Sequence, residues 1–472
     1  MPTGYQKGFT TLDREVMIDR LPVTGRVPGW LKGILVRNGP GRFEVGNEQY
    51  SHWFDGLGML HRFSFKDGAV SYANKYLQSR DYTESMAKGR IALSTFGTEP
   101  RRTFFELVRQ KISAKFSDNG SVNVARIGGR HVALTETPLP YEFDLHTLET
   151  LGPFDYGRDA QPGVITTAHP HFDFNRSATV NYIIEFGPVS KYHVYAIPSG
   201  QAAQTLIGSL RAREPSYMHS FGMTENHVIL TEFPLVVNPL RLRFSGRPFI
   251  ENYKWKPGLG TRFVLMSKRD GSVRSFDSEA FFAFHHINAF EQNGDVFVDI
   301  AAKPDATIID ALYLDRLRAG VPAPAAEFRR YRLPARGSTA THERLSNELI
   351  DLPRINYERC NCKDYRFAYG FSNRQDLPTG FPNQLLKVDV RERRNALWFA
   401  DECFPGEPVF VSSPGAASED EGVVLCVVLD GRKGNSFLLI LDAGSFTELA
   451  RAEAPHHIPF GFHGQFFADS GS

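Results

Sequence analysis

Between residues 281 and 302 the chain passes through an aromatic run, two adjacent histidines and an Asn-Gly pair. Val296, Val298 and Ile300 then alternate with Phe297, Asp299 and Ala301. A period of two beside Asn293-Gly294 predicts a β-hairpin, because Asn-Gly readily adopts the positive φ angles of a two-residue turn. Successive strand side chains point to opposite faces, so only one of His285 and His286 can face a given interior point. Asp67-Gly68, Asn119-Gly120, Asp270-Gly271 and Asp430-Gly431 repeat the turn signal, most of them between short apolar or alternating segments. RFVLMSKRDGSVRSF and GVVLCVVLDGRKGNSFLLILD are the clearest further hairpins. Short strands so joined predict an all-β sandwich, barrel or propeller rather than βαβ units. Internal repeats are too faint to count blades from, so periodicity alone does not choose among these.

Two segments have helical periodicity. In TFFELVRQKISAKF, Phe105, Val108, Ile112 and Phe116 share one face while Arg109, Lys111 and Lys115 lie elsewhere. Such a basic amphipathic helix suits either a cover over the β core or a membrane surface. A second helix is expected near residues 308–317, with no chemistry attached. A basic-apolar loop brings together Leu235, Val236, Val237, Leu240, Leu242, Phe244, Phe249 and Ile250, with Arg241, Arg243 and Arg247 interleaved. It reads either as a mouth that meets lipid or as buried wall.

No Pro/Gly/Ser-rich linker or low-complexity run divides the 472 residues, which favours one domain over 1–472. The net charge of +1 comes from interspersed acids and bases and leaves no electrostatic footprint for nucleic acid. No apolar run approaches the roughly 18 residues needed to span a bilayer, and the first residues lack a signal-peptide core. A cytoplasmic protein, with peripheral membrane contact as an option, is the expectation. Cys360, Cys362, Cys403 and Cys426 have neither the spacing of a zinc site nor the density of a disulfide framework.

Fifteen histidines are present, and context has to select among them, since most histidines in a β protein are ordinary core or surface residues. His169 in TTAHPHFDF, His219 in PSYMHSFGM, His285 in FFAFHHIN and His463 in IPFGFHGQF each follow an apolar or small residue in a strand-like segment. No local zinc spacing such as HExxH links them. If they meet, the fold must converge them, as strands lining the axis of a closed propeller would.

The segments LVRNGPGRF, HWFDGLGMLHRF, TAHPHFD, SYMHSFGMTENHVILTE, FHHINAFE, LPRINYER, GEPVFVSSPGA and PFGFHG occur in order between about residues 16 and 468. Together they resemble the carotenoid cleavage oxygenase family. The resemblance implies a seven-bladed β-propeller with a small cap of helices and loops over an axial site, and one Fe(II) held by His169, His219, His285 and His463. It places His52 and His61 in a structural signature, and His171 and His286 beside ligands without matching them. It also implies three carboxylates that hold the ligand rings. Two match as Glu136 and Glu407, and the third falls on Asp351, where most relatives carry Glu. An aspartate is one methylene shorter, so a longer or water-bridged hydrogen bond is expected there, with Glu348 as a conceivable substitute. Phe54, Thr135, Leu352 and Phe462 correspond to cleft-lining positions, and Val122 to a side chain that crowds one open iron position.

Cleaving a conjugated C=C bond with O2 needs one-electron chemistry that side chains lack, which is why a redox metal is expected. Four neutral imidazoles suit iron, and each ring needs its other N–H bonded to fix the tautomer. The implied activity is therefore an Fe(II) dioxygenase acting on an apolar polyene, a carotenoid or apocarotenoid, to give aldehydes. Within the family the alternative is hydroxystilbene cleavage, with Tyr82 and Lys88 as loose candidates for holding the phenol. Outside it stand a non-catalytic apocarotenoid-binding propeller and a zinc hydrolase, which would need an acidic general base near an open metal position.

Overall fold

A computed structural model describes residues 4–100, 117–158 and 160–469. Seven antiparallel sheets of four or more strands form a seven-bladed β-propeller, and two short ribbons decorate it. The basic amphipathic segment 103–116 falls outside the described residues. No helix among them is long and apolar enough to cross a membrane.

Each blade is built from consecutive hairpins, and the turn pairs read from the sequence fall where four of the five were expected. Asp67-Gly68 joins Leu57–Lys66 to Ala69–Tyr76, Asp270-Gly271 lies between Thr261–Ser267 and Val273–Ser278, and Asn293-Gly294 joins His286–Gln292 to Asp295–Ala302. The fourth, Asp430-Gly431, opens the turn between Gly422–Asp430 and Asn435–Asp442. Asn119-Gly120 differs. It lies in the loop before Asn123–Ile127, where the Asn119 carboxamide accepts from Gly58 N–H at 2.7 Å and donates to the Gly56 carbonyl at 2.7 Å. Those long-range bonds, rather than a hairpin between two strands, fix that asparagine.

Blade packing explains why the sequence pattern blurs in places. Middle strands are covered on both faces by neighbouring blades: Gly422–Asp430 is almost wholly buried, with Leu425 packed among Leu35, Phe63, Leu438 and Ile440. Such strands lose alternation and read as continuous apolar runs. Outer strands such as Thr205–Arg211 stay largely exposed.

The ring closes in two ways. The last strand, Gly464–Ala468, pairs with Gly33–Arg42 of the first blade, and the early strand Val23–Gly25 pairs with Glu448–Glu453 of the seventh. Gly39 and Gly461 make the first closure tight: a Cβ on Gly39 would lie 2.3 Å from the Gly461 Cα. Only glycines allow the two backbones to approach this closely, two residues before His463.

The expected single helix at 308–317 is two, Thr307–Ala311 and Leu314–Ala319. Between them Tyr313 is extended and bridges His52, while Trp53 N–H donates to the Leu312 carbonyl and Leu314 N–H to the Ser51 carbonyl. Tertiary hydrogen bonds to residues 51–53 interrupt the helical ladder. The loop at 235–250 divides as well. Leu235, Val236, Val237, Phe249 and Ile250 are buried, whereas Leu240 and Phe244, on the short helix Pro239–Phe244, are 68% and 69% exposed.

Candidate metal centre

The innermost strand of each blade begins, or is interrupted, at the same end of the axis. His463 precedes Gly464–Ala468, His219 lies shortly before Gly222–Met223, and His285 precedes His286–Gln292. His169 sits in a gap between Ile165–Thr166 and His171–Asp173. Pro170 has no N–H to give a ladder, so the strand breaks there and the preceding histidine leans toward the axis. Asp351 opens the innermost strand of the sixth blade, and Glu407 occupies a gap in that of the seventh, between Cys403–Pro405 and Val409–Ser412.

These placements bring one ring nitrogen from each of His169, His219, His285 and His463 within 4.8 Å of one another. The Nε2 atoms of His169 and His219 are 2.9 Å apart, and those of His285 and His463 are 3.3 Å apart. A metal ion with ligand bonds of about 2.1 Å separates ligands at right angles by about 3.0 Å, so the spacing suits one shared ion.

The opposite nitrogens determine which tautomer is present. His219 Nδ1–H donates to Glu136 Oε1, His285 Nδ1–H to Asp351 Oδ1 and His463 Nδ1–H to Glu407 Oε1, each at 2.7 Å. Three Nε2 atoms therefore carry lone pairs and point at a common centre, an arrangement that repels itself unless a cation lies between them. Burial, reinforced by the neighbouring rings, keeps His169 far below the usual histidine pKa, and burial pushes His463 down to about 3. Burial thus favours neutral imidazole, the metal-binding form, at these two rings.

The carboxylates are in turn supported. Burial disfavours a charged Glu407, but Arg354, the His463 ring and Arg37 outweigh it and hold the group well below the carboxylate range. Arg354 Nε donates to Glu407 Oε1 at 2.8 Å, and Arg37 contacts Oε2. Glu136 receives the Tyr217 hydroxyl at 2.8 Å.

Asp351 corrects the expectation of a long or water-bridged contact: its bond to His285 is direct and as short as the other two. The backbone makes up for the missing methylene. Register shifts between Asp351 and Arg354, and Leu352 takes a φ of +43° and donates its N–H to Asp351 Oδ1 at 3.0 Å. Glu348 is no substitute, since its carboxylate accepts from Gln384 Nε2.

The other histidines point elsewhere. His286 is bonded to the Ser220 and Thr231 hydroxyls, each at 2.8 Å, and His171 to the Tyr357 hydroxyl and the Phe221 carbonyl. His52 bonds the Ile309 carbonyl and His61 the Tyr72 hydroxyl. The four cysteines are buried and free, and burial raises Cys360 and Cys362 to about 12.

A cavity with about 1490 Å³ of atom-free space, its open mouth included, reaches the centre. Phe54, Val122, Thr135, Leu352 and Phe462 all line it, as do His219, His285 and His463. Its wall also takes in Ile308, Leu312 and Leu317, so the two short helices shape a binding surface that their sequence did not announce. Tyr82 and Lys88 do not line it: Tyr82 stacks on Tyr76 and Lys88 pairs with Glu84.

A family model described as retinal pigment epithelial membrane protein matches residues 9–468. The chain belongs to the carotenoid cleavage oxygenase family. Within this family it is 36% identical to the human protein named carotenoid-cleaving dioxygenase, mitochondrial, over 94% of this chain and 87% of that one. It is 33% identical to the chicken (Gallus gallus) β,β-carotene 15,15'-dioxygenase, over 94% of each chain. Its fold matches a crystal structure of cobalt-substituted Synechocystis apocarotenoid oxygenase with a TM-score of 0.88, 25% identity and 98% of both chains covered.

Lys303, Arg37, Arg354 and Tyr217 were not singled out from the sequence. Arg37 and Arg354 stand inside the family motifs LVRNGPGRF and LPRINYER, and Tyr217 two residues before His219, so those motifs held the signal. Lys303 directly follows the hairpin strand Asp295–Ala302, and only the fold shows what it meets.

His219→Ala removes a ring from the centre and leaves Glu136 facing a void, so the purified variant is expected to lose its bound metal. His286→Ala, whose ring lies between Ser220 and Thr231, is expected to keep it. Elemental analysis of both variants checks this, and metal retained by His219→Ala or lost only from His286→Ala would refute the assignment of faces.

Proposed function

We propose that the protein is a non-heme Fe(II) dioxygenase that cleaves one conjugated C=C bond of a carotenoid or apocarotenoid with O2, giving two aldehydes. The observation that carries this reading is the meeting of an apolar cavity with the four converging imidazoles. The activities named for the relatives agree with it. Ferrous iron, bound by His169, His219, His285 and His463, would supply the one-electron reactivity toward O2 that side chains lack.

The chain's own residues have distinct tasks in this reading. Glu136, Asp351 and Glu407 hold the Nδ1 protons of His219, His285 and His463, which keeps each Nε2 free and aimed. Phe54 and Phe462, 5.1 Å apart and nearly perpendicular, present flat apolar surface to a planar polyene and exclude water. Val122 and Thr135 stand on the same wall and limit where the chain of double bonds can lie.

Other readings lack support at specific atoms. A zinc hydrolase needs a free carboxylate as general base, yet all three nearby carboxylates are occupied by imidazole N–H groups and further donors. Hydroxystilbene cleavage loses its suggested phenol anchors, because Tyr82 and Lys88 lie off the cavity. Binding without catalysis gives no reason for converging lone pairs. Peripheral membrane contact is supported by Leu240 and Phe244, exposed beside Arg241 and Arg243, a combination that suits anionic lipid.

Protein purified without added metal is expected to contain about one iron per chain, following the one four-ligand cluster among the described residues. It should bleach a β-apocarotenal only when O2 is present, with two carbonyl products found by mass spectrometry. Iron-loaded protein that left a panel of carotenoids and apocarotenals intact would sink the proposal. For the membrane contact, Leu240→Ser with Phe244→Ser should reduce co-sedimentation with liposomes containing phosphatidylserine. Unchanged pelleting would dismiss this surface as the contact.

A further inference from the structure

Lys303 is a lysine whose side chain is 2% exposed, on the wall of an apolar cavity. A buried ammonium is costly unless it is paired, and its Nζ donates to Asp351 Oδ2 at 2.6 Å. The Asp351 carboxylate thus accepts three hydrogen bonds. Oδ1 takes His285 Nδ1–H and Leu352 N–H, and Oδ2 takes the lysine.

The backbone of Lys303 is fixed too. It exchanges hydrogen bonds of 2.7 and 3.0 Å with Phe282, three residues before His285. A closed path therefore runs from the His285 ring through Asp351 and Lys303 to Phe282, and along the chain back to His285. It ties the fifth blade, which carries His285 and Lys303, to the sixth, which begins at Asp351.

The charges around the three carboxylates are uneven. Glu407 is met by two guanidiniums, Asp351 by one ammonium and Glu136 by a neutral phenol. We propose that Lys303 is a positioning residue of the metal centre. It locks the Asp351 carboxylate so that His285 keeps Nε2 turned to the axis, and it cancels the charge of that carboxylate. The short aspartate works here because the backbone bulge carries it forward and the lysine holds its second oxygen.

The proposal rests on the four imidazoles binding a divalent ion, and Co2+ added to metal-free protein is the probe. Lys303→Met should lower Co2+ affinity about tenfold or more, the range seen when groups that orient metal ligands are removed, and should shift the visible Co2+ absorption bands. In an Asp351→Asn background the same lysine substitution should change affinity little, because the lysine acts through the carboxylate. An equal loss in both backgrounds, or no loss and an unchanged spectrum in Lys303→Met, overturns the role. Should Lys303→Met give no soluble protein, Lys303→Gln replaces it in the same comparison, with a smaller loss expected and the same overturning results. Wild-type protein that took up no Co2+ would instead remove the metal centre itself.

Discussion

Imidazole lone pairs facing one another across about 3 Å repel, and the fold holds four such rings within reach of a single point. What makes this possible is the hydrogen bond on the far side of three rings, where a carboxylate takes the Nδ1 proton at 2.7 Å. Remove those bonds and a ring can flip or pick up a proton. With them, the protein presents a site whose repulsion is relieved by a cation. Propeller geometry serves this end by letting distant segments start their innermost strands at one height around one axis.

The same arrangement decides how charge is distributed. Three carboxylates alone would make the centre strongly anionic, but Arg37, Arg354 and Lys303 stand behind two of them. In the proposed site the carboxylates would therefore orient the rings more than offset the charge of a metal. Around this polar knot the cavity is mainly aromatic and aliphatic, which fits a substrate held by shape and by exclusion of water rather than by hydrogen bonds.

Much of this was legible in the chain. Turn pairs such as Asp270-Gly271 and Asn293-Gly294 mark hairpins because the backbone requirement is local. The period-two rule separated His285 from His286, and the structure turns their rings to different neighbours. Convergence of the four histidines was not local, and it came from motif resemblance alone. Where sequence reasoning failed, tertiary contacts were responsible. Residues 51–53 break the helix at Tyr313, Asn119 is fixed by the backbone of residues 56 and 58, and the bulge at Leu352 restores a hydrogen bond that side-chain length alone would have weakened. Lys303 was silent because a lysine after a strand ordinarily faces water.

In the proposed site, four histidine Nε2 atoms would share one iron. X-ray absorption at the iron edge of protein purified without added metal reads that ligand set. Scattering from four imidazole rings around each iron, with no sulfur neighbour and no second metal, is the expected result. A spectrum showing two or fewer imidazoles, or thiolate ligation, would contradict it.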